Sequence, residues 1–270
     1  MISIIIVSYN ACELLKKCID SIIDNVSYEY ELIIVDNASD DETVNYLKNI
    51  SEKCKVIFNE RNLGFSKANN IGVNNSTGDL IHFLNPDTVV DKSINDVYKK
   101  VVQKNDVIYS TSLKENDNRI QGGHVMPIFS NLTRWLRKKR IIRWYIGASI
   151  IMSRENYDIL GGWSEDYFMY SEDLDLCYKA YQNNIEIYEI HSNIQHCGGG
   201  SSKTVWDAEI TDIKKEISYL KFIDKYNLYI NYWAFFFASI VYNAVKYGEF
   251  KLCYRVKIVM KALYEKKYNQ

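Results

Sequence analysis

Six cysteines in 270 residues (12, 18, 54, 177, 197 and 253) form no C-x-x-C pair and no zinc spacing. In a chain this long and apolar they read as reduced core thiols, which favours a cytoplasmic location. No Gly-x-Gly-x-x-Gly follows the first apolar run and no P-loop is present, which argues against a dehydrogenase or a P-loop NTPase. A dominant charge is missing too. The net charge of −1 gives no global attraction to nucleic acid or lipid, so no nucleic-acid partner is expected and any basic surface must be local. No basic n-region precedes the first strand, so no secretory signal is expected. The apolar stretch Tyr232 to Tyr242 falls short of the roughly 20 residues a spanning helix needs. There is no internal repeat and no low-complexity linker. The two prolines, beside many Asn, Lys, Ile and Tyr, reflect genome composition rather than function.

What is present is a hydrophobic content of 47%, enough for a sizeable core and for one large domain, or one domain with an appendage. Residues 2–7 read as a buried strand stopped by Ser8-Tyr9-Asn10, followed by a helix with Leu14, Leu15, Cys18, Ile19, Ile22 and Ile23 at three-and-four spacing. Leu32 to Val35 reads as a second strand, and Ser39 with Glu42 as a capping box opening the next helix. Val56 to Phe58 is a third strand, 65–75 a polar helix, and Leu80 to Leu84 a fourth strand. This alternation predicts an α/β fold with a Rossmann-like, mostly parallel sheet flanked by helices. Val107 to Tyr109 and Ile146 to Met152 read as further strands, and 172–183 and 205–224 as helices, the latter opening a C-terminal helical region.

Asn85-Pro86-Asp87 ends the fourth strand in a rigid turn that presents one carboxylate, because proline fixes its own φ and holds the preceding residue extended. In open α/β sheets that edge binds ligands, and a hard oxygen there suits Mg²⁺ or Mn²⁺ carrying a phosphate. Asp36 tips the second strand, where it could accept a bond from a pyrimidine ring N–H or, more blandly, cap a helix. Ser39 or Asp40 is expected to fill the capping role instead. Ser8, Tyr9 and Asn10 could hold base or ribose, or be turn residues only. Asn62-Leu63-Gly64-Phe65 with Asn69-Asn70 opens a helix whose free N–H groups suit a diphosphate, with Gly64 allowing close backbone approach. In Ser171-Glu172-Asp173-Leu174-Asp175-Leu176, Ser171 can cap a helix carrying three acids in its first turn. Asp173 shares a face with Leu176, Cys177 and Ala180, and Glu172 shares one with Asp175 and Lys179. The first is more apolar, so Asp173 is expected to point inward as a general base, with Glu172 the alternative. His196 could be a second metal ligand; His82, His124 and His191 read as structural.

Together these residues resemble the family-2 glycosyltransferases of GT-A fold, in particular the bacterial rhamnosyltransferase-like branch. The likeness runs over roughly residues 2–205. It rests on Val7-Ser8-Tyr9-Asn10, Val35-Asp36-Asn37-Ala38-Ser39, Asn62-Leu63-Gly64-Phe65, Asn85-Pro86-Asp87, Gly147-Ala148-Ser149, Gly161-Gly162-Trp163, the run Phe168 to Cys177, and His196 followed by Ser201. The resemblance implies an inverting single displacement from a nucleoside diphosphate sugar, dTDP-rhamnose or a UDP-hexose, to a glycan or lipid-linked acceptor in surface polysaccharide synthesis. By it Asp36 contacts the base, Asp87 and His196 hold the metal, and Asp173 is the base. Ser8, Tyr9, Asn10, Asn37, Asn62, Gly64, Asn70 and Asn85 complete the expected nucleotide site, and Gly162 and Trp163 the acceptor site. Residues 1–205 are then the catalytic domain, with 1–90 nucleotide-binding and 91–205 acceptor-binding and catalytic, and 206–270 the helical appendage.

Two departures from the branch stand out. The family's two-acid metal motif is reduced to Asn85-Pro86-Asp87, and Lys179 stands where arginine is usual, without the bidentate fork. The basic, aromatic stretch within 131–144 (Arg134, Arg137, Lys138, Lys139, Arg140, Arg143, Trp135, Trp144) reads either as a solvated helix face or as a surface for anionic lipid or a lipid-diphosphate acceptor. Within 228–266, packing on the catalytic domain, peripheral contact with the inner face of the plasma membrane, and homodimerisation all stay open. Two rival functions are a non-catalytic glycan-binding or scaffold subunit and a sugar nucleotidyltransferase. The second would want a glycine-rich triphosphate loop where Ser8-Tyr9-Asn10-Ala11 stands.

Overall fold

The computed structural model describes residues 1–114, 120–121, 123–127, 141–196, 207–229, 232–233, 236–237, 241 and 249–268. The elements in chain order are β1 (Ile2–Ser8), α1 (Cys12–Asn25), β2 (Tyr30–Asp36), α2 (Thr43–Ile50), β3 (Lys55–Phe58), α3 (Phe65–Asn74), β4 (Leu80–Leu84), β5 (Thr88–Val89), α4 (Ile94–Gln103), β6 (Ile108–Thr111) and β7 (Leu113–Lys114). They continue with β8 (Ile120–Gln121), β9 (His124–Pro127), β10 (Ile141–Trp144), β11 (Ser149–Ser153), α5 (Arg154–Leu160), α6 (Glu172–Gln182), β12 (Ile187–Ile190), β13 (Gln195–His196), α7 (Ala208–Tyr226) and α8 (Glu249–Tyr268).

A seven-stranded sheet runs in the order β12-β6-β11-β4-β1-β2-β3. Its strands are parallel except β11, which is antiparallel to both β4 and β6. Side chains alternate across a strand, so an unbroken apolar run such as β1 needs cover on both faces. It has it. Ile2, Ile4 and Ile6 join a core with Leu15, Cys18, Ile19 and Ile22 of α1 and Val97, Tyr98 and Val101 of α4. Ile5 joins an opposite core with Ala68 and Val73 of α3, Tyr157 and Leu160 of α5, and Leu176 and Ala180 of α6. Each fully buried isoleucine stabilises the fold by about 1.5–3 kcal/mol. The result is a mixed α/β, Rossmann-like sheet flanked by helices, with a C-terminal helical extension. A smaller sheet, β5-β13-β7-β8, lies beyond β4 in sequence and brings residues 88–89 and 195–196 together.

The chain forms two compact units. The first comprises Met1–His124, Arg143–Phe168 and Glu172–Thr204, the second Val125–Ile142, Met169–Ser171 and Val205–Gln270. In the second, Asp207 caps α7 by accepting the Ile210 N–H at 2.8 Å, and Asn227 ends it in the left-handed conformation. Helix α8 packs along α7, with Ile258, Val259 and Ala262 buried. Lys257 donates to Glu209 at 2.8 Å, Lys261 reaches the same carboxylate, and Lys266 pairs with Asp224. Three lysines of α8 are therefore held by acids of α7. Arg134, Arg137, Lys138, Lys139 and Arg140 lie outside the described residues, as does much of Tyr232 to Tyr242. No helix among the described residues is long and apolar enough to cross a membrane.

The expected capping box at Ser39 and Glu42 does not form. Helix α2 starts at Thr43 with no side-chain cap, because Ser39 is engaged elsewhere: its hydroxyl donates to Asp36 at 2.6 Å and accepts the Asn10 N–H at 2.9 Å. Nor does Ser171 adopt the extended conformation of an N-cap; its φ is 63°. The strand expected at Ile146 to Met152 starts three residues later, after a turn at Gly147-Ala148.

Candidate active site

The carboxyl ends of β1, β2 and β4 form one edge of the sheet. Register sets Ser8 opposite Asp36, and the Asn37 N–H donates to Ser8 O at 2.8 Å. Asp36 has almost no exposed surface. Its carboxylate accepts both the N–H (3.0 Å) and the O–H (2.6 Å) of Ser39. Burial pushes its pKa above the ordinary carboxylate value, against those two hydrogen bonds.

Asn37 serves the loop rather than a ligand. Its carbonyl oxygen accepts from Asn59 Nδ2 and Leu63 N–H, both at 3.0 Å. Its amide donates to Asn62 Oδ1 at 2.8 Å and Gly64 O at 3.2 Å. All four hydrogen-bonding positions of the amide are used, which corrects its expected nucleotide contact. Asn70 is consumed in the same way, by the Tyr157 hydroxyl, Glu165, and the Trp163 N–H and carbonyl. Asn10 exchanges two bonds with Asp40. Asn62 Oδ1 accepts from Asn37 and from the Gly64 N–H at 3.0 Å. Tyr9 is half-buried beside them.

Gly64 opens α3 at φ 82°, and a Cβ there would lie 2.4 Å from Phe168 O. The close approach expected for a diphosphate is thus made by the backbone of Phe168, whose carbonyl accepts the Phe65 N–H at 3.0 Å. What the first turn of α3 does offer is Ser66. Its hydroxyl is buried with no hydrogen-bond partner among the described residues, a feature its sequence surroundings did not signal. Ser8 Oγ and Asn85 Oδ1 are orphaned in the same way. Buried polar atoms are rarely left unpaired in a native protein, so these three mark places where a ligand can complete the bonding.

At the end of β4 the Asn85 N–H donates to Ala148 O at 2.9 Å, and the Thr88 N–H returns to Asn85 O at 3.2 Å, closing the turn that holds Asp87. Strand β13 pairs antiparallel with β5, setting His196 opposite Thr88. That register brings His196 Nε2 to 3.4 Å from Asp87 Oδ1, both side chains buried. Adjacent ligands of an octahedral ion at 2.0–2.1 Å lie about 3 Å apart, so these two donors fit one Mg²⁺ or Mn²⁺. No three His, Cys, Asp or Glu side chains gather as a metal cluster among the described residues. The protein side of such a site is this N,O pair.

The acidic helix differs from its expected orientation. Asp175 is fully buried and Glu172 nearly so, while Asp173 is intermediate. Apolar count misjudged the faces because Asp175 is paid in hydrogen bonds: it accepts from Ser164 and from the Tyr167 hydroxyl at 3.1 Å, with Lys179 Nζ at 3.8 Å. Asp173 accepts the Gly147 N–H at 3.4 Å and the Leu174 N–H at 2.7 Å. Burial raises the pKa of both Asp173 and Glu172, and the Asp173 charge raises Glu172 further. Both carboxyls of this pair are held above the ordinary range, and Glu172 Oε2 has no hydrogen-bond partner among the described residues.

The acceptor-side expectations change. Trp163 is 1% exposed, edge-on to Phe65 and Phe83 at 5.4 and 5.2 Å, so its ring is core and has no free face for a sugar. Gly162 makes a turn at φ 65° where a Cβ would meet the Tyr157 hydroxyl at 2.6 Å, and its carbonyl accepts from Lys179 at 2.6 Å. Lys179 thus holds the loop. Phe168 is the exposed aromatic of this segment. His82 is fully buried between Tyr98 Oη (2.8 Å) and Ser149 Oγ (2.9 Å), as a structural histidine should be.

Residues 3–161 match the model of glycosyl transferase family 2. The chain belongs to that family. Among its relatives, GlyA of Streptococcus pneumoniae is 32% identical over 105 residues, which is 38% of this chain and 15% of GlyA. The low-salt glycan biosynthesis hexosyltransferase Agl10 of Haloferax volcanii is 24% identical over 98% of this chain and 86% of its own. An uncharacterized glycosyltransferase of Haemophilus influenzae shares 31% over 40% of this chain and 34% of its length. The chain thus spans only a minor part of two of these three relatives. In fold it is similar to the mannosyltransferase PcManGT of Pyrobaculum calidifontis, solved with GDP-Man and Mn²⁺ (TM-score 0.62, 14% identity, all of this chain and 87% of that one). It is also similar to residues 1–349 of S. aureus TarS in complex with UDP-GlcNAc (TM-score 0.56, 15% identity, 97% and 71%).

Proposed function

We propose that this chain is an inverting, metal-assisted glycosyltransferase of GT-A fold that moves one sugar from a nucleoside diphosphate donor to a hydroxyl of a glycan or lipid-linked acceptor. The observation that carries the reading is the Asp87–His196 pair at the sheet's ligand-binding edge, in a chain that belongs to a glycosyltransferase family. Asp36 receives the ring N–H of the base. Ser8, Ser66 and Asn85 supply the polar atoms that lack protein partners, and Asp87 and His196 would hold Mg²⁺ or Mn²⁺. When bound, the cation neutralises charge on the departing diphosphate. Asp173, ionised and aimed by the Gly147 amide, takes the acceptor hydroxyl's proton as that oxygen bonds to the anomeric carbon. The bond from that carbon to the diphosphate oxygen breaks on the opposite side, and the diphosphate leaves with the electron pair.

Motif resemblance favours dTDP-rhamnose as donor, with UDP-hexoses next. The ligands bound in the structurally similar PcManGT and TarS add GDP-Man and UDP-GlcNAc as donors to try. The biological setting proposed is surface polysaccharide synthesis on the cytoplasmic side, with the C-terminal helices at the membrane face or in a dimer. Four described cysteines, all free and buried, suit a reducing compartment.

The test is nucleotide-dependent thermal stabilisation with dTDP, UDP, GDP, CDP and NAD, with and without Mn²⁺. Stabilisation that needs both a nucleoside diphosphate and the metal supports the reading and names the base. No response to any diphosphate overturns it and favours the scaffold alternative.

A further inference from the structure

The buried carboxylate of Asp175 has no place in the chemistry above, yet it is the most heavily tied acid of its helix. It accepts from Ser164 and Tyr167 at the two ends of a short loop segment, and Lys179, one turn on, lies 3.8 Å away and donates to Gly162 O at 2.6 Å. Three residues of the loop, Gly162, Ser164 and Tyr167, are therefore tied to one acid and one lysine of α6. The same loop is fixed from the other side. Asn70 of α3 clasps both the N–H and the carbonyl of Trp163, and Phe168 O takes the Phe65 N–H at the start of α3. Trp163 in turn packs beside Gly147, where an added Cβ would stand 3.3 Å from the indole and 3.6 Å from Asp173 Cβ. Gly147 is the residue whose amide reaches the Asp173 carboxylate.

We propose that Asp175 is a positioning residue that fixes where Asp173 stands, by locking α6 to the loop that also carries Trp163 against Gly147. Nothing in a core requires an acid at this spot. A buried carboxylate is costly unless fully bonded, and apolar replacement of buried ionic groups is often neutral for stability. What the acid supplies that an apolar side chain cannot is direction. It takes donors from two points of the loop, so α6 can neither rotate nor slide relative to that loop, whose Trp163 packs beside Gly147, without breaking one of them. A misplacement of about 1 Å at a reacting group costs roughly a hundredfold in rate. This inference rests on the assignment of Asp173 as the base.

Amide spectra of ¹⁵N-labelled protein across pH 4.5–8, together with donor hydrolysis, test it. In the wild type the Gly147 amide should titrate with Asp173, because it donates to that carboxylate, and Asp173→Asn should abolish the inflection. In Asp175→Asn the rest of the spectrum should stay folded while the Gly147 inflection shrinks or vanishes. Release of nucleoside diphosphate from whichever of dTDP-rhamnose, UDP-glucose, UDP-GlcNAc or GDP-mannose the wild type hydrolyses should fall about a hundredfold in kcat, with KM within about twofold. Should Asp175→Asn fail to fold, Ser164→Ala and Tyr167→Phe each remove one donor and should give the same signature in smaller size. A full Gly147 inflection in these variants overturns the positioning role and leaves Asp173 untouched. A Gly147 amide that ignores Asp173→Asn overturns the contact itself, and with it both inferences.

Discussion

Asp87 and His196, far apart in the chain, face each other at 3.4 Å because a two-residue strand carrying His196 pairs with the two-residue strand that follows Asp87. The antiparallel register, not local sequence, makes them neighbours. Replacing either with alanine should leave the apo melting temperature within a few degrees and weaken Mn²⁺-dependent binding of the cognate nucleoside diphosphate by about 10–100-fold, as loss of metal-site groups commonly does. Calorimetric titration with and without Mn²⁺ checks this. Unchanged affinity in the metal would remove both residues from the site.

The pH dependence of turnover should report the acidic pair. Burial raises Asp173, so kcat should fall on the acid side with an inflection above the usual carboxylate range. Of the two, Asp173 is the one that accepts the Gly147 N–H, so Glu172→Gln should keep most of the turnover. Loss of activity in Glu172→Gln with retention in Asp173→Asn would exchange their roles.

His82 should make the fold acid-sensitive. Burial holds its pKa down at about 3, against 6.5 for a free imidazole. A depressed histidine stabilises the fold fully above pH 6.5, and that contribution is lost as pH falls from 6.5 toward 3, by up to about 1.4 kcal/mol per unit. His82→Leu orphans the Tyr98 and Ser149 hydroxyls and should cost about 1–3 kcal/mol at pH 7. It should also flatten the decline between pH 6.5 and 4.5 in urea titrations. An equally steep decline would show that another group carries the effect.

Gly64→Ala should be among the most damaging small substitutions in the chain. The φ of 82° is hostile to any side chain, and the new methyl group would meet the Phe168 carbonyl oxygen at 2.4 Å, a backbone atom that cannot turn aside. A loss of roughly 2–4 kcal/mol is expected from strain plus the broken Phe65–Phe168 bond. Urea unfolding measures it, and a change below about 1 kcal/mol would mean the loop yields freely.

The first 90 residues were readable because β1, β2 and β4 are apolar runs buried on both faces and end in the polar residues of the site. Asp36 and Asp87 stand at strand ends as their positions in the chain indicate, whereas Gly64 meets the Phe168 backbone. What could not be read came from bonding that crosses the chain. Ser39 looks like a helix cap until Asp36 claims it, and Asn37 and Asn70 look like ligand contacts until their amides are found saturated. On α6 the face of Glu172 and Asp175 proves buried, because apolarity ranks a hydrogen-bonded Asp175 as a surface residue. Strands of two residues, such as β5 and β13, carry no periodicity at all, so the pairing that brings His196 to Asp87 leaves no periodic trace.

The most direct test of the account is Asp173→Asn, measured for sugar transfer or donor hydrolysis beside nucleotide binding. Turnover lost by at least about a hundredfold with nucleoside diphosphate affinity nearly intact is the predicted result. Near wild-type turnover in that variant would contradict it.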